Sequence, residues 1–325
     1  MGVETKMKFT EDRLKLFAAP LSETEDQKCK NAIGMVRDAL KDLGFSDEGK
    51  SIEKMYLDTY SYSLEMRNAT GSRKVKLFVK GSYANNTNVR TESDVDIAAV
   101  LETTFKAKYR PTISDSTYGF IDSTDNVLTF KDEVEIALRN KFGSDVERKN
   151  KSIKIHGNTY RVDADSVPCM RHRDYSNDYS SNPDNYLGGI FIRSDDGQTI
   201  INYPEQHIRN GREKNKQTKT YYKKMVRIVK KMRYIMQDER YESTNNVSSF
   251  GLESLLWNLP DDIFTKYSIY RYAFGEITNY LHRNVGMLAY YKEANGIKPL
   301  CSSSAEIENY KRFINDLFYF YEYDI

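Results

Sequence analysis

The sequence predicts an α+β fold, with a mixed sheet followed by a helical C-terminal part. Between residues 74 and 101, apolar and polar residues alternate in one segment and a short apolar run follows, which is typical of strands. After about residue 205 the apolar residues recur at helical spacing instead. The chain has 325 residues, of which 39% are hydrophobic and 30% charged, so it can bury a full core.

Helices are predicted before the first strand. The segment Ser22-Glu23-Thr24-Glu25 has the capping-box pattern, and the apolar residues after it keep helical spacing until Gly44. A second helical stretch is predicted from Ile52 to Met66.

The strands are predicted around a polar, turn-rich stretch from Gly81 to Ser93. Residues 75–79 alternate with lysines before it, and Asp94 to Leu101 forms a largely buried strand after it. Ser152 to Val167 is predicted to be a hairpin whose second strand ends at Pro168.

Three later segments are predicted to be helices: Thr218–Met236, Ser249–Leu259 and Ala305–Tyr321. We therefore predict two domains, a core lobe at 1–205 that includes the N-terminal helices and a helical lobe at 206–325.

Composition excludes several classes of protein. The 49 Lys and Arg residues and the 47 Asp and Glu residues give a net charge of +2. A net charge this small argues against a protein that coats polyanions non-specifically. The three cysteines and four histidines are dispersed, so neither a disulfide framework nor a zinc enzyme is expected. No apolar run reaches the ~20 residues of a membrane span, and the N-terminus lacks a signal-peptide core, so we expect a cytoplasmic protein without a membrane partner.

The most informative segment runs from Gly81 to Asp96. Asp94 and Asp96 are two apart on a predicted strand, so their side chains share a face. Two carboxylates this close repel each other unless a divalent cation lies between them, and Mg²⁺ prefers such oxygen ligands together with substrate phosphates. Gly81 lets a phosphate approach the backbone, and Ser82 offers a hydroxyl and an N–H at the start of the next element.

Two-metal phosphoryl transfer needs a third carboxylate. Asp163 and Asp165 share a face of the hairpin strand, and we favour Asp165 as the ligand because it lies closer to the end of that strand. Asp165 would coordinate the metal that activates the attacking hydroxyl and could help to accept its proton. Asp163 would support the site or form a salt bridge.

Residues 212–233 contain ten Lys or Arg and one Glu. Each lysine alone fits a solvated helix face, but a run this one-sided is expected to face phosphates along part of its length. Ser249 then lies at the start of the next helix, where a terminal phosphate could bind. Phe250 could stack on a base or belong to the core.

The chain resembles a known group of enzymes. Gly81-Ser82 and Ser93-Asp94-Val95-Asp96 are similar to the signature of the DNA polymerase β-like nucleotidyltransferase superfamily. Residues 87–90 and 165–168 narrow the resemblance to the bacterial cGAS/DncV-like nucleotidyltransferases (CD-NTases) of CBASS anti-phage defence. Residues 202–204, 210–211, 214–215 and 218 also resemble that group.

This resemblance implies a two-lobed enzyme with the active site in the cleft. Such an enzyme makes a cyclic oligonucleotide second messenger, here most simply a cyclic dinucleotide, from nucleoside triphosphates and releases pyrophosphate. The residues that match the family's site are Asp94, Asp96 and Asp165 for metal and catalysis, and Gly81, Ser82, Lys230, Ser249 and Phe250 for the nucleotide. Ser166 departs from the pattern, where a more apolar residue is expected.

The resemblance also implies cofactors and partners. Two Mg²⁺ ions are expected, with Mn²⁺ as an alternative, and the product would act on a separate effector. A monomer without a stable DNA or RNA partner is expected. The cysteine cluster of the DNA-sensing animal enzyme is absent from the sequence, so activation by DNA is not expected.

Three other hypotheses on the function stay open. The product could be a cyclic trinucleotide, or the enzyme could transfer nucleotides to RNA ends or to a small molecule. A third reading is an inactive module that senses nucleotides, and the presence of all three aspartates counts against it.

Overall fold

The computed structural model of the chain describes residues 8–20, 22–89 and 94–321. The helices in this part are α1 (Glu11–Phe17), α2 (Glu23–Asp42), α3 (Gly81–Ala84), α4 (Val127–Phe142), α5 (Pro204–Gln217), α6 (Tyr221–Asp238), α7 (Ser249–Trp257), α8 (Asp261–Thr265), α9 (Tyr270–Arg283) and α10 (Ser304–Phe320). The strands are β1 (Phe45–Ser46), β2 (Glu53–Lys54), β3 (Tyr62–Asn68), β4 (Lys74–Val79), β5 (Val95–Lys108), β6 (Val146–Arg148), β7 (Ile153–Ile155), β8 (Ala164–Asp174), β9 (Leu187–Arg193) and β10 (Thr199–Asn202). The motif residues Arg90, Thr91, Glu92 and Ser93 and the N-terminal residues 1–7 lie outside the described residues.

The chain divides into two compact units. The sheet unit comprises Ser22–Ala84 and Thr91–Glu205, and the helical unit comprises Met1–Leu21, Asn85–Arg90 and Gln206–Ile325. The predicted α+β architecture, with a mixed sheet and a C-terminal helical part, is confirmed. The domain limits 1–205 and 206–325 and the cleft between the lobes remain predictions.

The strands of the described residues form one mixed, open sheet with the order β1-β3-β4-β5-β8-β7-β6. Strand β2 pairs with β3, β9 pairs with β8, and β10 pairs with β9. Among the strand pairs of the described residues, only the central pair, β5 and β8, runs parallel.

One face of the sheet points toward α2. The Tyr62 hydroxyl of β3 donates to the Asp26 carboxylate of α2, at 2.9 Å from Oδ2. Strand register and alternation place Val95 and Ile97 of β5 on the same face as Tyr62, and both are fully buried. Asp96 lies between them in sequence, so its side chain points to the opposite face of the sheet.

Helix α2 begins and ends as the sequence predicts. The Ser22 hydroxyl accepts the Glu25 N–H at 3.2 Å, and the Glu25 carboxylate accepts the Ser22 N–H at 2.9 Å, which completes the capping box. Gly44 follows the last turn with a φ of +83°, a conformation that glycine adopts without strain.

The prediction of a helix from Ile52 to Met66 is wrong. This segment instead contains β2 and the first part of β3. In β3, Tyr62, Leu64 and Met66 are buried and Glu65 is exposed, so the side chains follow the two-residue period of a strand.

The predicted hairpin forms between β7 and β8, which pair with Ile155 opposite Ala164. Strand β8 does not end at Pro168, as predicted, but continues to Asp174. The pairing with β7 ends at Ser166, and the pairing with β9 begins at Met170. Pro168 lies between these two partners, so its missing N–H removes no bond to an antiparallel neighbour.

The three predicted C-terminal helices are present as α6, α7 and α10. Helix α6 begins at Tyr221 instead of Thr218 because Lys219 and Thr220 have φ values of 49° and 71°, which interrupt a helix. In the described part of the chain, no helix has both the length and the apolarity to cross a membrane.

The helical unit has its own apolar core. Residues of α6, α7, α9 and α10 contribute to it, and α1 packs against the same core through Leu14. Fully buried members include Met225, Val229, Leu252 and Phe274. Burial of side chains of this size stabilises a fold by about 1.5–3 kcal/mol each.

Candidate active site

The two central strands bring Asp96 and Asp165 together. Asp96 of β5 lies directly opposite Asp165 of β8 in the parallel pair. Neighbouring strands are about 4.8 Å apart and paired residues share a face, so the two carboxylates lie side by side. Asp94 immediately precedes β5 and is two residues from Asp96. The structure therefore places the three predicted carboxylates at one end of the parallel pair.

A lysine lies on each side of this carboxylate pair. Lys80 directly follows β4; its N–H donates to the Asp96 carbonyl at 2.9 Å, and its Nζ lies 3.1 Å from Asp96 Oδ1. On the other side, Lys154 of β7 lies opposite Asp165 in register, and its Nζ is 3.0 Å from Asp94 Oδ2. Adjacent strands thus carry Lys80, Asp96, Asp165 and Lys154 in one line, which we call the charged row.

The electrostatics of Asp165 reflect this crowding. Burial raises the pKa of Asp165, and the carboxylates of Asp96 and Asp94 raise it further. The Ser152 hydroxyl, which donates to Asp165 Oδ1 at 3.2 Å, offsets only part of this effect. A cation near Asp165 would relieve the repulsion and favour the ionised carboxylate.

Asp163 has different partners. It lies just before β8, and its carboxylate accepts the Gly157 N–H and lies 2.7 Å from Lys154 Nζ. Burial alone would raise the pKa of Asp163. The hydrogen bonds from Lys154 and Gly157 outweigh this effect and hold the pKa below its ordinary value. Asp163 thus anchors the hairpin and Lys154, whereas Asp165 belongs to the charged row, which supports the choice of Asp165 as the third ligand.

The donor set fits a hard divalent cation. Among the described residues, Lys80 forms an ion pair with Asp96, and Lys154 forms ion pairs with Asp94 and Asp163. With Asp165 beside them, four carboxylates therefore lie near two ammonium groups. Carboxylate oxygens are the ligands that Mg²⁺ prefers. Within the described residues, no three Asp, Glu, His or Cys side chains converge closely enough to hold a metal as they stand.

Gly81 forms the turn next to these carboxylates. Its φ is +72°, and a Cβ atom on Gly81 would lie 2.8 Å from Asp96 Oδ2. Ser82 follows as the second residue of α3, which has four residues. The tight approach of this turn to Asp96 requires glycine for both its conformation and its lack of a side chain.

Lys230 lies in the helical unit and is 2% exposed. Its Nζ is 3.0 Å from the Thr87 carbonyl, 3.2 Å from Thr87 Oγ1 and 3.1 Å from Glu253 Oε2. These protein atoms engage all three N–H donors of the ammonium group. The contacts are those of a buried structural ion pair, and the triphosphate contact inferred from the resemblance stays a prediction.

Ser249 and Phe250 form the first turn of α7. The cap itself is Ser248, whose hydroxyl accepts the Gly251 N–H at 2.9 Å. The Ser249 hydroxyl lies 3.4 Å from the Tyr234 hydroxyl. Phe250 is 37% exposed, so part of its ring is open to stacking.

Two arginines of the basic run contact backbone carbonyls, and the expectation that part of the run faces phosphates stays a prediction. Arg227 is 4% exposed, and its guanidinium donates to the carbonyls of Ala18 and Asn86. Arg233 donates to the Val247 carbonyl. Charged donors of α6 therefore satisfy backbone carbonyls inside the helical unit, which an excess of charge along the sequence does not reveal.

Sequence reasoning missed the buried acid of this unit. Glu253 is 1% exposed and contacts Lys230, the Thr87 hydroxyl at 2.7 Å and His207 Nε2 at 2.8 Å. Burial alone would raise its pKa, but Lys230 and His207 hold the pKa of Glu253 well below its ordinary range. A single acid in the apolar segment 250–257 was the signal that could have predicted a buried ion pair.

Comparison with known proteins decides the family. The nucleotidyltransferase domain model matches residues 64–160, and the model of the cGAS/DncV-like nucleotidyltransferase C-terminal helical domain matches residues 209–322. The cyclic GMP-AMP synthase CdnE03 of Staphylococcus schleiferi is 48% identical over 318 residues, which cover 98% of each protein. The chain belongs to the cGAS/DncV-like nucleotidyltransferases.

Solved structures of cGAS/DncV-like nucleotidyltransferases share this fold. The CdnE c-UMP-AMP synthase of Rhodothermus marinus, solved with Apcpp and Upnpp, has a TM-score of 0.76 at 25% identity and matches over 98% of this chain and 99% of its own. The CdnE cyclic dinucleotide synthase of Elizabethkingia meningoseptica, solved with GTP and Apcpp, has a TM-score of 0.73 at 32% identity, over 97% and 100% of the two chains. The predicted resemblance, the fold and the enzyme class, nucleotidyltransferase, are confirmed.

Proposed function

We propose that this nucleotidyltransferase joins two nucleoside triphosphates into a cyclic dinucleotide and releases two pyrophosphates. Membership of a family whose similar members are cyclic nucleotide synthases supports the product class. The observation that carries the proposal is the placement of Asp96 opposite Asp165 on parallel strands, with Asp94 and the Gly81 turn beside them.

Asp94, Asp96 and Asp165 would hold the divalent cations, Mg²⁺ or Mn²⁺. When bound, such ions lower the pKa of an attacking hydroxyl and neutralise charge on the phosphates. Asp165 would also help to accept the proton of the acceptor ribose hydroxyl. Its contact with Ser152 orients the carboxylate for this role.

The nucleotide would be held by backbone and by an aromatic ring. The turn at Gly81 and Ser82 would bind the triphosphate of the donor nucleotide, since the missing Cβ of Gly81 lets a phosphate approach the backbone. Phe250, with 37% of its surface exposed, would stack on a base, and Ser249 would bind a terminal phosphate. These roles rest on the family's motif together with the exposure of the ring.

The biological role would be signalling. A cyclic dinucleotide has no use to the enzyme that makes it, so a separate effector protein would bind the product, as the resemblance to CBASS enzymes implies. The enzyme itself would act as a monomer.

Product analysis tests the proposal. The purified protein is incubated with all four ribonucleoside triphosphates and Mg²⁺ or Mn²⁺, treated with phosphatase and examined by mass spectrometry. A phosphatase-resistant cyclic dinucleotide is expected. Linear products only, a larger ring, or labelling of added RNA or of an aminoglycoside instead would overturn it.

Two variants of the same strand separate chemistry from folding. Asp165→Asn is expected to lower the rate of cyclic dinucleotide synthesis by at least about 10²-fold, because a group that stabilises the transition state is lost. Asp174→Asn, at the opposite end of β8, removes a carboxylate that contacts Lys108 and should leave the rate within about twofold. Equal effects of the two changes would contradict the assignment of Asp165.

A further inference from the structure

Lys154 lies beside the proposed metal ligands, and the proposed reaction assigns it no role. Its ammonium lies between two carboxylates, 3.0 Å from Asp94 Oδ2 and 2.7 Å from Asp163 Oδ2, and its side chain is 19% exposed. It lies opposite Asp165 across the β7–β8 pair. Lys154 is thus a fixed positive charge at the edge of a group of carboxylates proposed to bind metal.

The two carboxylates hold Lys154 differently. Asp163 is anchored by the Gly157 N–H as well as by Lys154, so this part of the hairpin keeps the ammonium group in place by itself. For Asp94, Lys154 is the cationic partner that the structure records. A metal ion that binds Asp94 must therefore share or displace the ammonium at Oδ2, while Asp163 retains Lys154 nearby.

We propose that Lys154 is a positioning residue that competes with the divalent cation for Asp94, so that metal binds tightly only once a triphosphate adds its negative charge. The proposal rests on the assignment of Asp94 as a metal ligand. On the opposite flank of the row, Lys80 contacts Asp96 in the same way. Metal and nucleotide binding become coupled, because each is favoured by the presence of the other.

Binding of Mn²⁺ alone to the nucleotide-free protein tests this proposal. In calorimetric titration, Lys154→Met should bind Mn²⁺ about tenfold more tightly than wild type, because a unit charge within several ångströms of the ion is removed. At saturating Mn²⁺, kcat should fall about tenfold because Asp94 loses its restraint, so the two quantities move in opposite directions. Lys154→Arg, which keeps the charge, should restore both toward wild type.

The matched control is Lys149→Met, which removes a lysine of the connection between β6 and β7 that contacts the exposed Glu147. It should leave Mn²⁺ affinity unchanged. If Lys154→Met fails to fold, Lys154→Gln, which can still donate to Asp163, should show the same tightening.

The outcomes separate the two proposals. If Lys154→Met and Lys154→Gln bind Mn²⁺ no more tightly than wild type while Asp94→Asn weakens binding, the competition is refuted and the metal assignment stands. If Asp94→Asn leaves Mn²⁺ binding unchanged, both the metal assignment and the role of Lys154 fail. Weaker Mn²⁺ binding by Lys154→Met would assign Lys154 a purely structural role and overturn the competition.

Discussion

Replacement of Gly81 by alanine tests the geometry of the site most directly. Gly81 has a φ of +72°, and an added Cβ would lie 2.8 Å from Asp96 Oδ2, whereas ordinary contacts begin at 3.4 Å. The Asp96 carboxylate would have to move by about 0.6 Å, although Lys80 holds its other oxygen at 3.1 Å. Two separate costs follow, one from the backbone conformation and one from the displaced carboxylate.

The backbone cost is about 1–2 kcal/mol of folding stability for a left-handed alanine. The displacement acts on activity, since misplacement of a reacting group by about 1 Å can cost ~10²-fold in rate. Gly81→Ala is therefore expected to lose about 10- to 100-fold in kcat and only about 1–2 kcal/mol in the free energy of unfolding. Pyrophosphate release measures the rate, and urea titration measures the stability.

Gly71→Ala is the matched control. Gly71 has nearly the same φ, +71°, but nothing lies within 4 Å of its added Cβ. It should lose the same stability as Gly81→Ala and keep the wild-type kcat. If Gly81→Ala also kept kcat within twofold, or if both variants lost activity equally, the proposed closeness of the turn to a catalytic Asp96 would be refuted.

Three further predictions concern stability and reactivity. Lys230→Met should lower the free energy of unfolding in urea by about 3–5 kcal/mol, because it leaves the Glu253 carboxylate buried without its cation. Adding Glu253→Gln should recover part of this loss. A double variant no more stable than Lys230→Met would contradict the pairing. Burial raises the pKa of all three cysteine thiols, so a thiol reagent at about pH 8 should label none in the native protein and three after unfolding; native labelling would show that a thiol is accessible. Hydrogen bonds from Arg148 lower the pKa of Asp195 to about 2, so this carboxylate stabilises the fold above its ordinary pKa and stops doing so as the pH falls through about 2. Asp195→Asn should therefore lower the free energy of unfolding by about 1 kcal/mol near neutral pH, as measured in urea. The difference in free energy of unfolding between variant and wild type should become smaller below about pH 4. A difference that does not change with pH would show that the ionised carboxylate is not the stabilising form.

The strands of the site could be predicted because their side chains alternate over short distances. β4 follows this pattern, β5 begins with a short apolar run, and the spacing of Asp94 and Asp96 already placed both carboxylates on one face. The error at Ile52–Met66 has the opposite cause. Apolar residues there are compatible with a helical period over fifteen residues, and only pairing with β4 selects the period of two.

Partners distant in sequence could not be predicted. Register across three strands places Lys154 opposite Asp165 and Asp165 opposite Asp96, and no local pattern encodes that register. The contact between Lys230 and Glu253 likewise depends on how α6 packs against α7. The spacing of Asp94 and Asp96 therefore predicted two carboxylates on one face, but the sequence could not identify Lys80 and Lys154 as their contacts.

Charge along the sequence and charge at a site are different quantities in this protein. The basic run suggested phosphate binding, yet Arg227, Arg233 and Lys230 contact carbonyls or a buried acid within the helical unit. Such contacts stabilise a fold because a buried charge without a partner costs several kcal/mol. The aspartates at and beside the charged row show the reverse, since the two lysines Lys80 and Lys154 are the ion-pair partners that the described residues provide for Asp94, Asp96 and Asp163. Unbalanced charge that the fold holds in place, and not the number of charges in a segment, is what indicates a binding site for an ion.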